Sequence, residues 1–162
     1  MPGQLSWEDS YTGKIRSAVG DMVLIIPAVR AVIFNKEDKV LLIRRSDNGE
    51  WALPAGAIEL GESVLGCLKR EVREETGLEV TKAEAVSIYT EPQYNYSTAY
   101  GKQYQSFVMA FRVDEWQGKL LTQTTESTDA RFFALDNMPE ISLQHRETIE
   151  DVRNFDGRFI VK

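Results

Sequence analysis

Of the five glutamates between positions 56 and 78, four have a spacing that could do chemistry: Glu62, Glu71, Glu74 and Glu75, with Arg70 among them. At ~100° per residue on a helix, Glu71, Glu74 and Glu75 share an arc of roughly 100°, because spacings of three and four fall on one face. Val64, Leu65, Leu68 and Val72 form an apolar face, Lys69, Arg73 and Gly66 lie opposite towards solvent, and Glu75 projects between Val64 and Leu68 at the margin of the apolar stripe. Three carboxylates this close repel, and partial burial penalises each charge further. A divalent cation removes the conflict. Hard oxygen ligands on a rigid helix suit Mg²⁺ or Mn²⁺, with positions left for phosphate oxygens and water. Arg70 stands four residues before Glu74, a spacing that lets it pair with that carboxylate and fix its orientation. Most acidic helices are only solvated charged faces; the position of Glu75 against the apolar stripe argues for more than that here.

The elements that must position these side chains follow from periodicity and turn residues. A helix is expected over 63–76, stopped by Gly77 as its left-handed cap. Ahead of it, apolar and β-branched stretches at 23–34 and 39–44, separated by the Asn35–Asp38 turn, read as a hairpin. Residues 51–53 form a short strand ending at Pro54, and 55–62 form a loop. Further strands are expected at 78–89, 103–113 and 130–134, a second long helix at 143–154, and a short N-terminal helix over 7–19. Strands, a central helix, more strands and a terminal helix suggest an α/β (α+β) fold with a mixed β-sheet between helices.

The composition sets limits on function. A chain of 162 residues fits one domain, 1–162, with residues 1–20 as a helical extension. Its longest apolar run, residues 22–29, is too short to span a bilayer and contains Pro27, and no secretory signal is visible at the N-terminus. The single cysteine, Cys67, suits a reducing, cytoplasmic setting. A net charge of −6 argues against broad binding to nucleic acid, while a small anionic substrate remains compatible if metal ions sit between carboxylates and phosphates.

The stretch Gly56-Ala-Ile-Glu-Leu-Gly-Glu62-Ser-Val-Leu-Gly-Cys-Leu-Lys-Arg70-Glu71-Val72-Arg-Glu74-Glu75-Thr-Gly77-Leu78 resembles the Nudix box, G-x5-E-x7-R-E-U-x-E-E-x-G-U with U a bulky apolar residue, at every defined position. Flanking segments, Val40-Leu-Leu-Ile-Arg-Arg, Trp51-Ala-Leu-Pro and Glu126-Ser-Thr-Asp-Ala-Arg-Phe-Phe, are similar to the same family, so the likeness covers about residues 28–149. The resemblance implies the Nudix α/β/α sandwich and a metal-dependent hydrolase that cleaves the diphosphate of a nucleoside diphosphate linked to a moiety X. It implies Glu71 and Glu75 as main metal ligands, with Glu74 as auxiliary ligand or base. Glu62 would support the cluster, Arg70 would orient it, and the backbone around Ala55–Gly56 would bring a carbonyl oxygen to the metal. Many relatives have glycine where this chain has Ala55, which tightens the backbone requirement at that turn.

Other residues carry weaker signals. Glu126 precedes a strand where relatives supply a further acidic residue; it competes with Glu74 for the role of base and with an ordinary loop glutamate, with Asp129 as a substitute. Arg44 and Arg45 end a strand on opposite faces, so at most one is expected to reach substrate phosphate. Among the tyrosines at 89, 94, 96, 100 and 104, Tyr96 and its two central neighbours could stack on a base, cover the site, or form a dimer contact. Cys67 is expected to pack in the core, His145 to be structural or superficial, and Trp51 to pack beside its strand. The box leaves X open: ADP-ribose, dinucleoside polyphosphates, nucleoside triphosphates, nucleotide sugars and capped RNA ends all satisfy it, the last disfavoured by the acidic balance. The alternative class is a Nudix-fold nucleotide-binding or regulatory module that has lost catalysis, against which stands the full set of box glutamates; a prenyl diphosphate isomerase is discounted because Cys67 sits inside the box helix. A homodimer is expected only by analogy.

Overall fold

Pro27 cannot donate a ladder hydrogen bond, and it divides the first apolar stretch in two. In the computed structural model, which describes residues 4–98 and 100–162, strand β1 (Leu24–Ile25) ends before it and β2 (Ala28–Ile33) begins after it. Ahead of them runs helix α1 (Tyr11–Val19), shorter at its start than the sequence suggests because Ser10 caps it, accepting from the Gly13 amide. After β2 the Asn35 side chain accepts from the Glu37 and Lys39 amides and Asp38 takes φ 58°, forming the expected turn into β3 (Val40–Arg45).

The two strands do not make a hairpin ladder. Only Phe34 bridges Val40 across the turn. Strand β2 gives its edges to β5 (Ala55–Ala57, antiparallel) and β9 (Val108–Gln117, parallel), whereas β3 pairs with β4 (Trp51–Ala52) and β10 (Ser127–Phe133). The larger sheet continues from β9 to β6 (Glu79–Tyr89) and β11 (Ile160–Val161), in the order β11-β6-β9-β2-β5. Residues 55–57, expected as loop, are thus an edge strand. The stretch 103–113 is also split, into β8 (Gln103–Gln105) and β9, with Ser106 turning its hydroxyl to the Tyr89 carbonyl. Strand β8 joins β1 and β7 (Tyr96–Ser97) in a small third sheet, where Leu24, Ile26 and Tyr104 pack against Tyr11 and Ile15 of α1.

Alternation along β2 and β3 makes two cores. Val29, Ala31, Ile33, Leu41 and Ile43 face α2 (Val64–Thr76) and its Cys67, Leu68 and Val72. Val32, Val40 and Leu42 face the other way, onto Ile149 and Val152 of α3 (Leu143–Arg153). Helices on both faces of mixed strands form the expected α/β/α arrangement, and among the described residues no helix is long and apolar enough to cross a membrane.

Helix α2 starts where Ser63 accepts from the Gly66 amide and stops at Gly77, φ 75°. Its packed face is shifted from the one the wheel suggests. Leu65, in the first turn, is 49% exposed, while Cys67, Leu68, Glu71, Val72, Glu75 and Thr76 are buried. Glu75 therefore lies in the middle of the packed arc and not at its margin. Removing Leu68 from this face should leave a cavity: Leu68→Ala is expected to lose about 2–5 kcal/mol in urea denaturation, and Leu65→Ala to change stability by under about 0.5 kcal/mol. Equal losses would contradict this assignment of the helix face.

Candidate active site

Glu71 and Glu75 point from α2 towards β5, and the backbone there is shaped to receive them. A Cβ on Gly56 would fall 1.9 Å from the Glu71 carboxyl carbon, so only glycine permits this approach. One residue earlier, the Ala55 amide donates to Glu75 Oε2 at 3.0 Å. Ala55 accomplishes this from extended backbone paired with Arg30, so the methyl group that departs from the family pattern is accommodated. The Gly56 carbonyl has a weak contact from the Cys67 thiol at 3.8 Å.

Arg70 gathers the remaining carboxylates. Its Nε donates to Glu62 Oε1 at 2.7 Å, Nη1 to Glu71 Oε1 at 2.6 Å and to Glu74 Oε2 at 3.1 Å, and Nη2 to Glu62 Oε2 and the Ala57 carbonyl, both at 3.0 Å. The expected pair with Glu74 is one strand of a wider network. The Glu62 hydrogen bond, against the opposing effect of burial, and the nearby Glu71 charge raise the guanidinium's pKa. Burial pushes the Glu62 carboxyl up, but Arg70 and the Glu59 amide outweigh it and leave Glu62 below its ordinary range.

Glu126 approaches from the start of β10, where the Ser46 amide bonds its carbonyl at 2.9 Å and ties this segment to the end of β3. One carboxylate oxygen each from Glu71, Glu74 and Glu126 lies within 4.8 Å of the others. Such a cluster resists ionisation. Burial, partly offset by Arg70 and reinforced by Glu126 and Glu74, pushes Glu71 up to about 7. Burial, with Glu71 and Glu126 beside it, pushes Glu75 well above the carboxylate range, and burial together with Glu74 raises Glu126. The donor set consists of hard oxygens, mutually repelling and held against a backbone from which a side chain has been removed. It fits a small divalent cation.

The other residues singled out from the sequence divide clearly. Arg45 lines the same cleft as the carboxylates and hydrogen-bonds Asp47 through two nitrogens, at 2.9 and 2.6 Å. Arg44 turns away to the Gly49 carbonyl at 3.0 Å and is exposed. Asp129 pairs with Arg131 at the surface. Tyr96 is not among the residues lining the cleft; it stacks on Tyr104 with ring centroids 5.2 Å apart. Tyr94 is buried edge-on against Tyr89 and donates to Glu147 at 3.0 Å. His145 is structural: its Nδ1 accepts from the Leu53 amide at 3.1 Å, and burial, with Arg30 and Arg45 nearby, holds its pKa well below the usual value. Cys67 is fully buried, as expected of core packing. Sequence reasoning missed the segment from Gln4 to Trp7, which forms one wall of the cleft; no spacing or charge pattern marks it.

The sequence model of the NUDIX domain matches residues 24–152. An ADP-ribose pyrophosphatase of Methanocaldococcus jannaschii is 32% identical over 122 residues, covering 74% of this chain and 68% of the relative. An NAD-capped RNA hydrolase NudC of Pseudomonas aeruginosa is 34% identical over 115 residues, covering 70% of this chain but only 38% of the longer relative. In fold, the MutT protein of Methanosarcina mazei superposes with a TM-score of 0.66 over 81% of this chain and 95% of that one, at 24% identity. The chain belongs to the Nudix hydrolase family.

Proposed function

We propose that this chain hydrolyses the diphosphate linkage of a nucleoside diphosphate joined to a second moiety, with ADP-ribose as the representative substrate and Mg²⁺ or Mn²⁺ as cofactor. The observation that carries this reading is the placement of Glu71 and Glu75, at 8% and 4% exposure, beside Glu74 and Glu126 at the floor of an open cleft. The likeness to an ADP-ribose pyrophosphatase that the chain matches over most of its length supports the substrate class. An RNA end is the weaker reading, since the net charge is −6 and the NudC relatives extend far beyond the matched region.

Glu71 and Glu75 would hold the cation, with Glu74 and the Gly56 carbonyl as further oxygen donors. When bound, the cation supplies charge neutralisation for the diphosphate and lowers the pKa of water. Arg70 keeps Glu62, Glu71 and Glu74 in fixed orientation through its fork of donors. Arg45, at the cleft wall beside Ser46, would be the cation available to the substrate's phosphates. Each of the two carboxylates considered as proton acceptor carries one hydrogen bond, Glu74 from the Arg70 guanidinium and Glu126 from the neutral Gln4 amide; we assign the role to Glu126, which burial raises in spite of the Gln4 bond. The lone buried cysteine accords with a reducing cytoplasm.

The direct test offers nucleoside diphosphate derivatives with Mg²⁺ or Mn²⁺ and identifies products by mass. Release of AMP and a sugar phosphate from ADP-ribose is expected, and Glu71→Gln or Glu75→Gln should lower turnover at least about a hundredfold while the fold survives. Near-wild-type turnover in either variant would remove the assignment; tight nucleotide retention without hydrolysis would favour a binding module instead. A second expectation concerns stability. Glu71 titrates at about 7 in the folded chain against 4.5 as a free side chain. The contribution of its neutral form is complete below about pH 4.5 and is lost as pH rises through about 7. A cation offsets that loss, so the Mg²⁺-induced rise in Tm is expected to be larger at about pH 8 than at about pH 5.5, and to shrink in Glu71→Gln. Equal shifts at both pH values would contradict the assignment.

A further inference from the structure

Residues 4–10 lie outside the stretch that the family's sequence model matches, yet they are built against the carboxylate cleft. The Gln4 amide donates to Glu126 and accepts from the Thr125 hydroxyl, which ties the segment to the start of β10. At its other end the Tyr11 amide donates to Glu59 Oε2 at 2.8 Å, tying it to the loop before α2. Between these anchors the chain makes a defined turn: Ser6 Oγ donates to Asp9 at 2.7 Å and Ser10 Oγ to the Trp7 carbonyl at 2.7 Å. Helix α1 carries this turn at unusually close range. A Cβ at Gly13 would fall 1.8 Å from the Trp7 carbonyl oxygen, so the glycine sets where Trp7 stands.

The turn presents Leu5 and Trp7 at the cleft, 55% and 57% exposed. Exposed apolar side chains are ordinary when scattered, but these two are neighbours on a wall otherwise made of carboxylates, arginines and small residues. Trp7 is the only aromatic side chain among the described residues lining that cleft. The tyrosine-rich segment, which the sequence offers for stacking, contributes none of the lining residues. A nucleoside diphosphate derivative has one end that suits cations and carboxylates and another that is a flat heteroaromatic ring. The carboxylate floor matches the first, and only Trp7 offers a π-face for the second.

We propose that the turn of residues 4–10 is a recognition wall of the site, on which Trp7 stacks against the planar heteroaromatic ring of the substrate. This inference rests on the hydrolase reading of the same cleft. Stacking of one ring on one aromatic side chain tolerates different bases, so it selects for a ring at that end of the substrate more than for a particular one.

The test uses the full chain in two forms. With Trp51→Phe and Trp116→Phe, Trp7 becomes the sole tryptophan; its emission is titrated with ADP, nicotinamide mononucleotide and inorganic pyrophosphate. Saturable quenching by ADP or the mononucleotide, and none by pyrophosphate, is expected, and the two nucleotides tell an adenine from a nicotinamide ring. In the otherwise intact chain, Trp7→Ala is expected to raise KM for ADP-ribose about tenfold with kcat within about twofold, while Trp7→Phe stays within about threefold of wild type in KM. Gly13→Ala, which favours the helix but displaces the turn, should raise KM as Trp7→Ala does. Absence of quenching by both nucleotides, or an unchanged KM in Trp7→Ala, would overturn the proposal. If the wild-type chain hydrolyses no diphosphate, the hydrolase reading falls, and the quenching experiment still decides whether Trp7 meets a ring.

Discussion

Two glutamates stand in the packed arc of a helix whose neighbours on that arc are Cys67, Leu68 and Val72. Burying carboxylates beside one another is among the most unfavourable things a core can do, and each element around α2 is arranged to make it tolerable. Gly56 gives up a side chain so that Glu71 can reach the cleft. The Ala55 amide, at the edge of the larger sheet, satisfies Glu75. Arg70 donates to three of the four box glutamates from one guanidinium. What remains is a raised affinity of the cluster for protons, and under the proposed function a divalent cation would replace them.

The sheet arrangement serves this site. Because β2 and β3 splay into different sheets, β2 is free to pair with β5 and so bring Ala55 and Gly56 under the helix. Strand β3 is left to pair with β10, and Glu126, the residue just before β10, joins the Glu71 and Glu74 carboxylates. Ser127, buried next to it, donates to the Glu75 carbonyl at 2.8 Å and locks the end of α2 to that strand. The second core, under α3, holds His145 as a neutral acceptor for the Leu53 amide and steadies the chain just before Pro54.

Legibility in the sequence followed the range of the interaction. Helix α2 was readable to within a residue because Ser63 and Gly77 act locally, and so was the Asn35–Asp38 turn. The pairing of Arg70 with Glu74 follows from helical spacing alone, whereas its bonds to Glu62 and the Ala57 carbonyl depend on how the loop folds back. Strand β5 was not readable, since Ala-Gly-Ala has no strand preference and is extended only through β2. The hairpin reading of β2 and β3 failed because each strand found better partners far away in sequence. Tyr96 reads from the sequence as able to stack on a base, cover the site or form a dimer contact, yet β8 brings Tyr104 against it. The wall at Gln4 had no signal, as its partner Glu126 lies 122 residues on.

If the buried carboxyls of α2 exchange protons for a cation, as proposed, counting those protons tests the site most directly. At about pH 6, a carboxyl that titrates at about 7 is roughly nine-tenths protonated. Saturating the metal-free protein with Mg²⁺ in weak buffer should then release about one proton or more per chain, and the Glu71→Gln, Glu75→Gln double variant should release almost none. Cation binding without proton release at that pH, or equal release from the double variant, would contradict it.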